Sequence, residues 1–458
     1  MKTHYGRTGS AFLAALMFIV LSLLPTSLAE AATTASTTAD PVAVEYPSDT
    51  DPGVIEMLSG FSVLAKDHPD VLAANSDTAV RINTSASSAQ QTRAVTDAVE
   101  DMSVTMSDGL GSTVGRLYRE ARAEGELPKT TALIGTEQEG VYPRWASAEK
   151  AKAYFGYTRP FIALPERIVK HPDPTGKVYS VAWLSFPSGH SERAYRQALV
   201  LATFLPELAP QILARASEAA DNRVVLGVHY PLDVIGGRMV ATRMVAARWS
   251  DPKFRPVLEA ARTELRTVLA RRCGMPLAEC IATDTPYMDT ARATRVFEER
   301  LTYGLPAVGK EGVAEVVPPG AEDLLLTSFP ELGASQRRSV LELTAQASGH
   351  ALDLSGTGVA ASSAGWERLD VLAAMEAHPV VAPDGTVSIG STSVGPSSAS
   401  GAEGSGVITA TDFARRHVVE ISAVVTVVAI LIVFLVALHR RRRVDAGEPG
   451  VRRHRDRR

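Results

Sequence analysis

The chain has 458 residues, of which 45% are hydrophobic and 21% charged, with two cysteines and a formal net charge of −4. This composition excludes wholesale disorder, a collagen-like fibre and a cysteine-rich miniature scaffold, and the length allows one large domain with accessory segments. A basic C-terminal tail stands apart from an acidic body, so the charge pattern argues against nucleic acid as the main ligand.

The N-terminus has the pattern of a secretory signal peptide over residues 1–31. Lys2 and Arg7 precede an apolar stretch that ends at Leu24, and an A-x-A cleavage site follows. The stretch is too short to span a bilayer comfortably, so we expect export and cleavage. Residues 32–45 are rich in Ala and Thr and predict a flexible leader.

Residues 46–300 predict a helical catalytic body. Apolar residues recur at helical spacing, and one such series is Val95, Ala98, Val99, Met102 and Met106. Strand-like alternation is scarce. The fold class predicted for the body is therefore all-α.

Three of the cations within this body belong to the candidate site. Six residues separate Lys152 from Arg159, which Pro160 follows, and Arg223 comes later. Three cations around one cavity suit a dianionic tetrahedral oxyanion, because Arg offers forked donors and Lys a point charge. We expect these side chains to bind a phosphate group.

The tetrapeptide Pro187-Ser188-Gly189-His190 stands just before a helical stretch. Ser188 and the amide of Gly189 would lie at a helix N-terminus, which is a natural phosphate-binding position. His190 would then stand beside the bound group.

His229 and Asp233 are four residues apart. Asp233 would accept the proton on one ring nitrogen and leave the lone pair of the other nitrogen aimed at phosphorus. The pattern predicts His229 as a nucleophile that forms a phosphohistidine, with His190 as general acid and then base. The three cations supply the positive charge, so we expect neither a metal nor another cofactor.

These residues resemble the motifs of the PAP2 superfamily, which comprises type 2 phosphatidic acid phosphatases, bacterial class A non-specific acid phosphatases and vanadium haloperoxidases. The family pattern of K-x6-RP, PSGH and SR-x5-H-x3-D is matched at residues 152–160, 187–190 and 223–233. The segment KAYFGYTRPF is most similar to the class A acid phosphatases. The resemblance implies a helical core and the residue roles given above.

Asn222 is a departure from this pattern, because the family has Ser before the last Arg. Asn keeps a hydrogen-bond donor but changes its reach. This puts one secondary phosphate contact or structural contact in doubt, and it leaves the nucleophile unaffected.

Cys273 and Cys280 suit an exported protein, and a bridge between them would close a small loop. A C-x6-C pair without a nearby His is a weak metal site. Residues 301–387 are punctuated by Pro and Gly before a helical stretch, and they are assigned to a mixed accessory region of unknown role.

The C-terminal part predicts a membrane anchor. Residues 388–416 are rich in Gly, Ser and Thr and predict a stalk, and residues 417–438 form an apolar run of roughly the length needed for a transmembrane helix. The tail at 439–458 contains nine Arg residues, which predicts a cytoplasmic location for it. The catalytic body would then lie outside the cell membrane.

The expected function is acid phosphatase-like hydrolysis of small-molecule phosphate esters at the outer membrane surface. One alternative is a vanadium haloperoxidase, in which the same cations bind vanadate and His229 becomes its ligand. The membrane tether also keeps open a lipid or prenyl (di)phosphate phosphatase. A third possibility is a non-catalytic surface protein, against which the presence of both histidines and all three cations argues.

Overall fold

The computed structural model describes residues 52–99, 101–134, 149–180 and 183–395. The predicted signal peptide, leader, transmembrane helix and cytoplasmic tail lie outside these residues, as does the predicted stalk from residue 396 onward. Within the described ranges, no helix combines the length and the apolar character that crossing a membrane requires.

The described chain is mainly helical, which confirms the all-α prediction. The helices before the first cation of the site are α1 (Pro52–Met57), α2 (Gly60–Asp67), α3 (Pro69–Ser85), α4 (Ser88–Val99), α5 (Met102–Thr105), α6 (Ser112–Ala123) and α7 (Pro128–Ile134). The helices that follow are α8 (Glu149–Phe155), α9 (Pro160–Ala163), α10 (Gly189–Phe204), α11 (Ala209–Val225), α12 (Pro231–Ser250), α13 (Arg255–Cys273), α14 (Leu277–Thr283), α15 (Thr290–Thr302), α16 (Ala334–Thr344) and α17 (Val371–Glu376). Short 3₁₀ helices occur at Met106–Leu110, Val178–Ser180, Pro206–Leu208 and Ala321–Leu325.

Helices α10, α11 and α12 form the centre of the fold, and α10 packs against both of the others. Pro210 and Pro231 stand in the first turns of α11 and α12, where a missing backbone N–H leaves no hydrogen bond unmade. Sixteen of the 17 residues of α11 and 15 of the 20 residues of α12 are buried. These two helices are therefore at once the core of the fold and the elements that present its buried polar residues.

The apolar series between residues 95 and 106 does not belong to one helix. Helix α4 ends at Val99, and α5 begins only at Met102. The side chain of Asp101 caps α5 by accepting a hydrogen bond from the amide of Ser103 at 2.9 Å. Local capping chemistry overrides the apolar spacing at this point.

Residues 301–387 do not form a separate hydrophobic unit. Leu324, Leu341 and Leu372 belong to the same buried cluster as the side chains of α10, α11 and α12. Arg238 of α12 also donates hydrogen bonds to the main-chain oxygens of Leu369 at 3.2 Å and Glu367 at 3.0 Å. The accessory region therefore packs into the same core as α10, α11 and α12, and the boundary at residue 300 stays a prediction.

The predicted stalk begins too early. Strands β1 (Val380–Val381), β2 (Val387–Ile389) and β3 (Thr392–Val394) form an antiparallel sheet in the order β1-β2-β3. Val387 is fully buried, and Gly390 turns the β2–β3 hairpin with a φ of 58°. Composition alone suggested a flexible segment here, whereas alternating Ile, Thr and Val residues around a Gly-Ser turn make a hairpin.

A disulfide joins Cys273 at the end of α13 to Cys280 in α14, with an S–S distance of 2.03 Å. Gly274 follows α13 with a φ of 71°, a left-handed conformation that ends the helix. The bridge therefore closes the turn between two surface helices, on a segment that carries none of the predicted site residues.

Candidate active site

Lys152 connects helix α8 to the segment before α10. Its Nζ donates hydrogen bonds to the main-chain oxygens of Ser185 at 2.7 Å and Pro187 at 2.6 Å. The side chain is buried. The ammonium group therefore lies against the Pro187-Ser188-Gly189-His190 segment, although residues 152 and 185 are far apart in the chain.

Two extended segments pair just before α9 and α10. Thr158 and Leu184 form an isolated antiparallel bridge, in which the amide of Arg159 donates to the Trp183 oxygen at 3.0 Å. The amide of Ser185 donates to the Tyr157 oxygen at 2.7 Å. This short ladder holds the backbone of Arg159 beside the segment that leads into α10.

The guanidinium of Arg159 reaches the second histidine motif. Its Nη1 donates to the Val228 oxygen at 2.8 Å and lies 2.9 Å from Nε2 of His229. On the opposite side of the ring, Nδ1 of His229 lies 3.0 Å from Oδ2 of Asp233. A carboxylate at Nδ1 and a cationic donor at Nε2 favour the neutral tautomer with its proton on Nδ1 and its lone pair on Nε2.

Asp233 is held at the third position of α12. Its Oδ2 accepts a hydrogen bond from the amide of Tyr230 at 2.9 Å and another from the hydroxyl of Ser185. Burial, which disfavours the charged form, raises the pKa of Asp233 to about 6. Ser185 has no signal in the sequence except its position just before the Phe-Pro-Ser-Gly-His segment.

Ser188 is the N-cap of α10. Its Oγ accepts hydrogen bonds from the amide and hydroxyl of Ser191 at 3.2 and 2.9 Å. The Ser188 amide donates to the main-chain oxygen of Asp233 at 2.9 Å. The last bond ties the start of α10 directly to the start of α12. The phosphate-binding roles of Ser188 and the Gly189 amide stay predictions.

Two glycines in α12 make this close approach possible. A Cβ at Gly237 would lie 2.7 Å from the main-chain oxygen of Ser188, and one at Gly236 would lie 2.8 Å from the Phe186 ring. A Cβ atom does not fit at either distance. The Gly-Gly pair therefore lets α12 touch the segment that carries His190.

Arg223 is a buried cation in the last turn of α11. Its side chain is 1% exposed, and its Nε and Nη1 have no hydrogen-bond partner among the described residues. Burial, with a further contribution from the charge of Arg159, lowers the pKa of Arg223 to about 9. A buried guanidinium with two unpartnered nitrogens is costly, and an anion that accepts from them removes that cost.

The same positive charges act on both histidines. Arg223 is the main cause that holds the pKa of His190 well below its ordinary value, followed by burial and by the charges of Arg193, Arg159 and Lys152. Burial is the main cause for His229, followed by Arg159, Lys152 and Arg223. The structure therefore brings both imidazoles and the three predicted cations into one positive field, to which Arg193 on α10 adds.

Asn222 contacts helix α4. Its Nδ2 donates a hydrogen bond to Oδ2 of Asp97 at 2.7 Å, and Asp97 also forms a buried ion pair with Arg215. Asn222 thus makes a structural contact with α4. Among the residues that the structure describes, no group of three or more His, Cys, Asp or Glu side chains is arranged to hold a metal ion.

Residues 145–256 match the family model described as the PAP2 superfamily. This segment of the chain is similar to the PAP2 superfamily. The matched segment contains both histidines, Asp233 and the three cations, so the predicted resemblance is confirmed for the part of the chain that forms the site.

Curated relatives match the chain over short stretches. The chain is 34% identical over 140 residues to an acid phosphatase of Zymomonas mobilis, covering 31% of this chain and 51% of that protein. It is 40% identical over 80 residues to a non-specific acid phosphatase of Providencia stuartii, covering 18% and 32%. It is 42% identical over 67 residues to a decaprenylphosphoryl-5-phosphoribose phosphatase of Mycolicibacterium smegmatis, covering 15% and 36%. The chain thus spans about half the length of the first relative and about a third of the other two.

Proposed function

We propose that this PAP2 domain hydrolyses phosphomonoesters through a phosphohistidine intermediate. The observation that carries the proposal is the environment of His229: Asp233 holds Nδ1, and Nε2 faces the guanidinium of Arg159 at 2.9 Å. A phosphoryl group that meets Nε2 would also meet Arg159. The unpartnered nitrogens of Arg223 supply further donors for such an anion. The similarity to proteins named acid phosphatases supports the same reaction class.

In the first step, the Nε2 lone pair of His229 attacks phosphorus and the bond from phosphorus to the ester oxygen breaks. His190 gives its proton to the departing alkoxide, which leaves as a neutral alcohol. Asp233 stabilises the positive charge that appears on the His229 ring. Lys152, Arg159 and Arg223 stabilise the charge on the equatorial oxygens.

In the second step, water attacks the phosphohistidine and the phosphorus–nitrogen bond breaks. His190, now neutral, takes a proton from the water, and inorganic phosphate leaves. The same residue thus serves as acid and then as base, which returns the site to its starting state. The positive charge for both steps comes from the chain's own Lys and Arg side chains in this proposal.

We place the reaction outside the cell membrane, with the protein held by its C-terminal helix. The signal-peptide pattern at residues 1–31, the apolar run at 417–438 and the Arg-rich tail support this location. Small soluble phosphate esters are the proposed substrates. A second candidate is an ester in which the phosphate group belongs to a lipid-linked molecule, which the Mycolicibacterium relative's name favours.

The full-length protein in detergent tests this function against nucleotides, sugar phosphates, phosphatidic acid and prenyl diphosphates. We expect hydrolysis of at least one class and its loss in His229→Ala. The exposed His378, which lies outside the site, offers a matched control, and His378→Ala should retain the wild-type rate. An inactive wild-type protein that oxidises bromide once loaded with vanadate would contradict the proposal in favour of a haloperoxidase.

A further inference from the structure

Trp183 is a large apolar side chain that lies beside the candidate active site and that the proposed chemistry does not use. Its residue surface is 58% exposed, although an indole is among the side chains that gain most from burial. Its backbone is fixed, since its carbonyl oxygen accepts the hydrogen bond from the Arg159 amide at 3.0 Å.

The antiparallel ladder determines which way Trp183 faces. The bridge between Thr158 and Leu184 makes Arg159 and Trp183 directly opposite neighbours, and such neighbours project their side chains to the same face. Ser185, two residues after Trp183, projects to that face as well. The guanidinium of Arg159 lies 2.9 Å from Nε2 of His229, and the Ser185 hydroxyl lies 3.4 Å from Nδ1. The face that bears the indole is therefore the face that meets the His229 ring.

The depth of the site separates the phosphate from the rest of a substrate. Lys152, Arg159, Arg223 and His229 are all buried, whereas Trp183 is largely exposed. A phosphoryl group at Nε2 would thus lie deep, and the alcohol part of the ester must extend outward. Trp183 stands on the same face and nearer to the solvent, where that alcohol would pass.

We propose that Trp183 is a specificity-determining residue that packs against an apolar leaving alcohol. This inference rests on the proposed phosphatase function and names the substrate class: phosphomonoesters whose alcohol carries an aromatic ring or a hydrocarbon chain. Such a group would cover the exposed indole and leave water together with it, which favours binding. A small polar alcohol such as glycerol gains nothing from the same surface.

Three alkyl phosphates with similar leaving-group chemistry test the inference: 2-phenylethyl phosphate, citronellyl phosphate and glycerol 3-phosphate. In Trp183→Ala we expect kcat/KM to fall about 3- to 10-fold for the phenylethyl ester, the citronellyl ester or both, mainly through a higher KM. Glycerol 3-phosphate should be hydrolysed as by the wild type. Trp183→Phe should restore most of the loss, and a loss confined to one apolar ester would identify an aromatic or an isoprenoid alcohol.

Tyr154→Ala is the matched control, because Tyr154 is an exposed aromatic on α8 that is turned about 200° around the helix from the buried Lys152. It should leave all three rates unchanged. An unchanged Trp183→Ala, or one equally impaired on all three esters, would overturn the inference while the wild-type turnover upheld the phosphatase function. A wild-type protein that hydrolyses none of the three esters, nor any ester of the wider panel, would reject the phosphatase function itself, and this inference with it.

Discussion

Arg223 and the two histidines depend on each other through charge. A dianion bound among Lys152, Arg159 and Arg223 would offset the positive field that keeps both imidazoles neutral. The free protein thus holds His190 without a proton at neutral pH, and the substrate itself would raise the pKa of His190. Substrate binding and the protonation of His190, the proposed general acid, would then occur together.

Proton uptake on anion binding follows from this coupling. Tungstate is a dianion that does not titrate near pH 6, and at that pH we expect it to bind with uptake of up to about one proton, because the pKa of His190 rises. Calorimetry in two buffers of different ionisation enthalpy measures the number. His190→Asn should bind tungstate with markedly less uptake, and a wild-type protein that takes up no proton would refute the coupling.

We expect Arg223 to lower the stability of the free protein and to raise its activity. Without an anion, Arg223→Met should raise the free energy of unfolding by about 1–3 kcal/mol, because it removes a buried charge whose Nε and Nη1 lack partners. The same change should lower kcat/KM at least 10-fold. Urea unfolding and steady-state kinetics measure the two effects.

Arg215 provides the matched control for this prediction. It is equally buried in α11 but forms an ion pair with the buried Asp97. Arg215→Met should therefore lower the free energy of unfolding by up to about 3–5 kcal/mol, since it removes the nearest of the cations that pair with the buried carboxylate of Asp97. If Arg223→Met destabilised the protein to the same extent, Arg223 would have partners that the account does not assign to it.

At the scale of elements, the site depends on how closely α12 approaches the start of α10. The bond from the Ser188 amide to the Asp233 oxygen crosses this junction, and Gly236 and Gly237 make room for it. On the α12 side of this junction, Asp233 contacts the His229 ring. On the other side, His190 lies in the first turn of α10. A small shift of either helix would therefore separate the proposed nucleophile from the proposed general acid.

Gly237→Ala should lower kcat/KM at least 10-fold, because the new methyl would lie 2.7 Å from the Ser188 oxygen and push the two helices apart. Val240→Ala, on a partly exposed position of the same helix, should keep more than half of the activity. Kinetics together with circular dichroism separate a displaced site from an unfolded one. A fully active and folded Gly237→Ala would show that the spacing at this junction is not critical.

The sequence predicts the reactive groups of the site better than their supports. The order and spacing of Lys152, Arg159, His190 and the His229–Asp233 pair are visible in the chain because the chemistry itself demands them. Ser185 and Trp183 are invisible, because their roles arise from a two-segment ladder that forms only in the folded chain. The helix break at Asp101 and the hairpin around Gly390 were not predicted for a different reason. At these positions, capping and turn chemistry outweigh composition.

At the scale of the whole molecule, the region after residue 300 supports the catalytic helices and contains unusual buried acids. Glu367 is 1% exposed, and burial raises its pKa to about 8. Burial likewise raises the pKa of Glu315 to about 7. A carboxyl with a raised pKa in the folded protein stabilises the fold fully below its unfolded pKa near 4.5, and this contribution is lost as the pH rises through 7 and 8.

Through Glu367 alone, the free energy of unfolding should therefore fall by about 1 kcal/mol between pH 7 and pH 9, whereas the lowered pKa values of the buried Arg223 and Arg248 act in the opposite direction. The two site histidines, whose pKa values are lowered, are largely unprotonated in both states above pH 7 and do not oppose this trend. Glu367→Gln should flatten the decline, whereas Glu298→Gln, at an exposed position, should leave it unchanged. Urea unfolding at the two pH values measures the slopes, and equal slopes in all three proteins would contradict the assignment.

The covalent step at His229 is tested most directly by rapid-quench labelling with a ³²P-phosphomonoester of the class that the protein hydrolyses. We expect a phosphoenzyme that is stable in base, labile in acid and absent from His229→Ala. His190→Ala should still form it slowly from esters with good leaving groups, because it loses the general acid and keeps the nucleophile. Normal hydrolysis by the wild type with no labelled protein at any quench time would contradict the covalent mechanism.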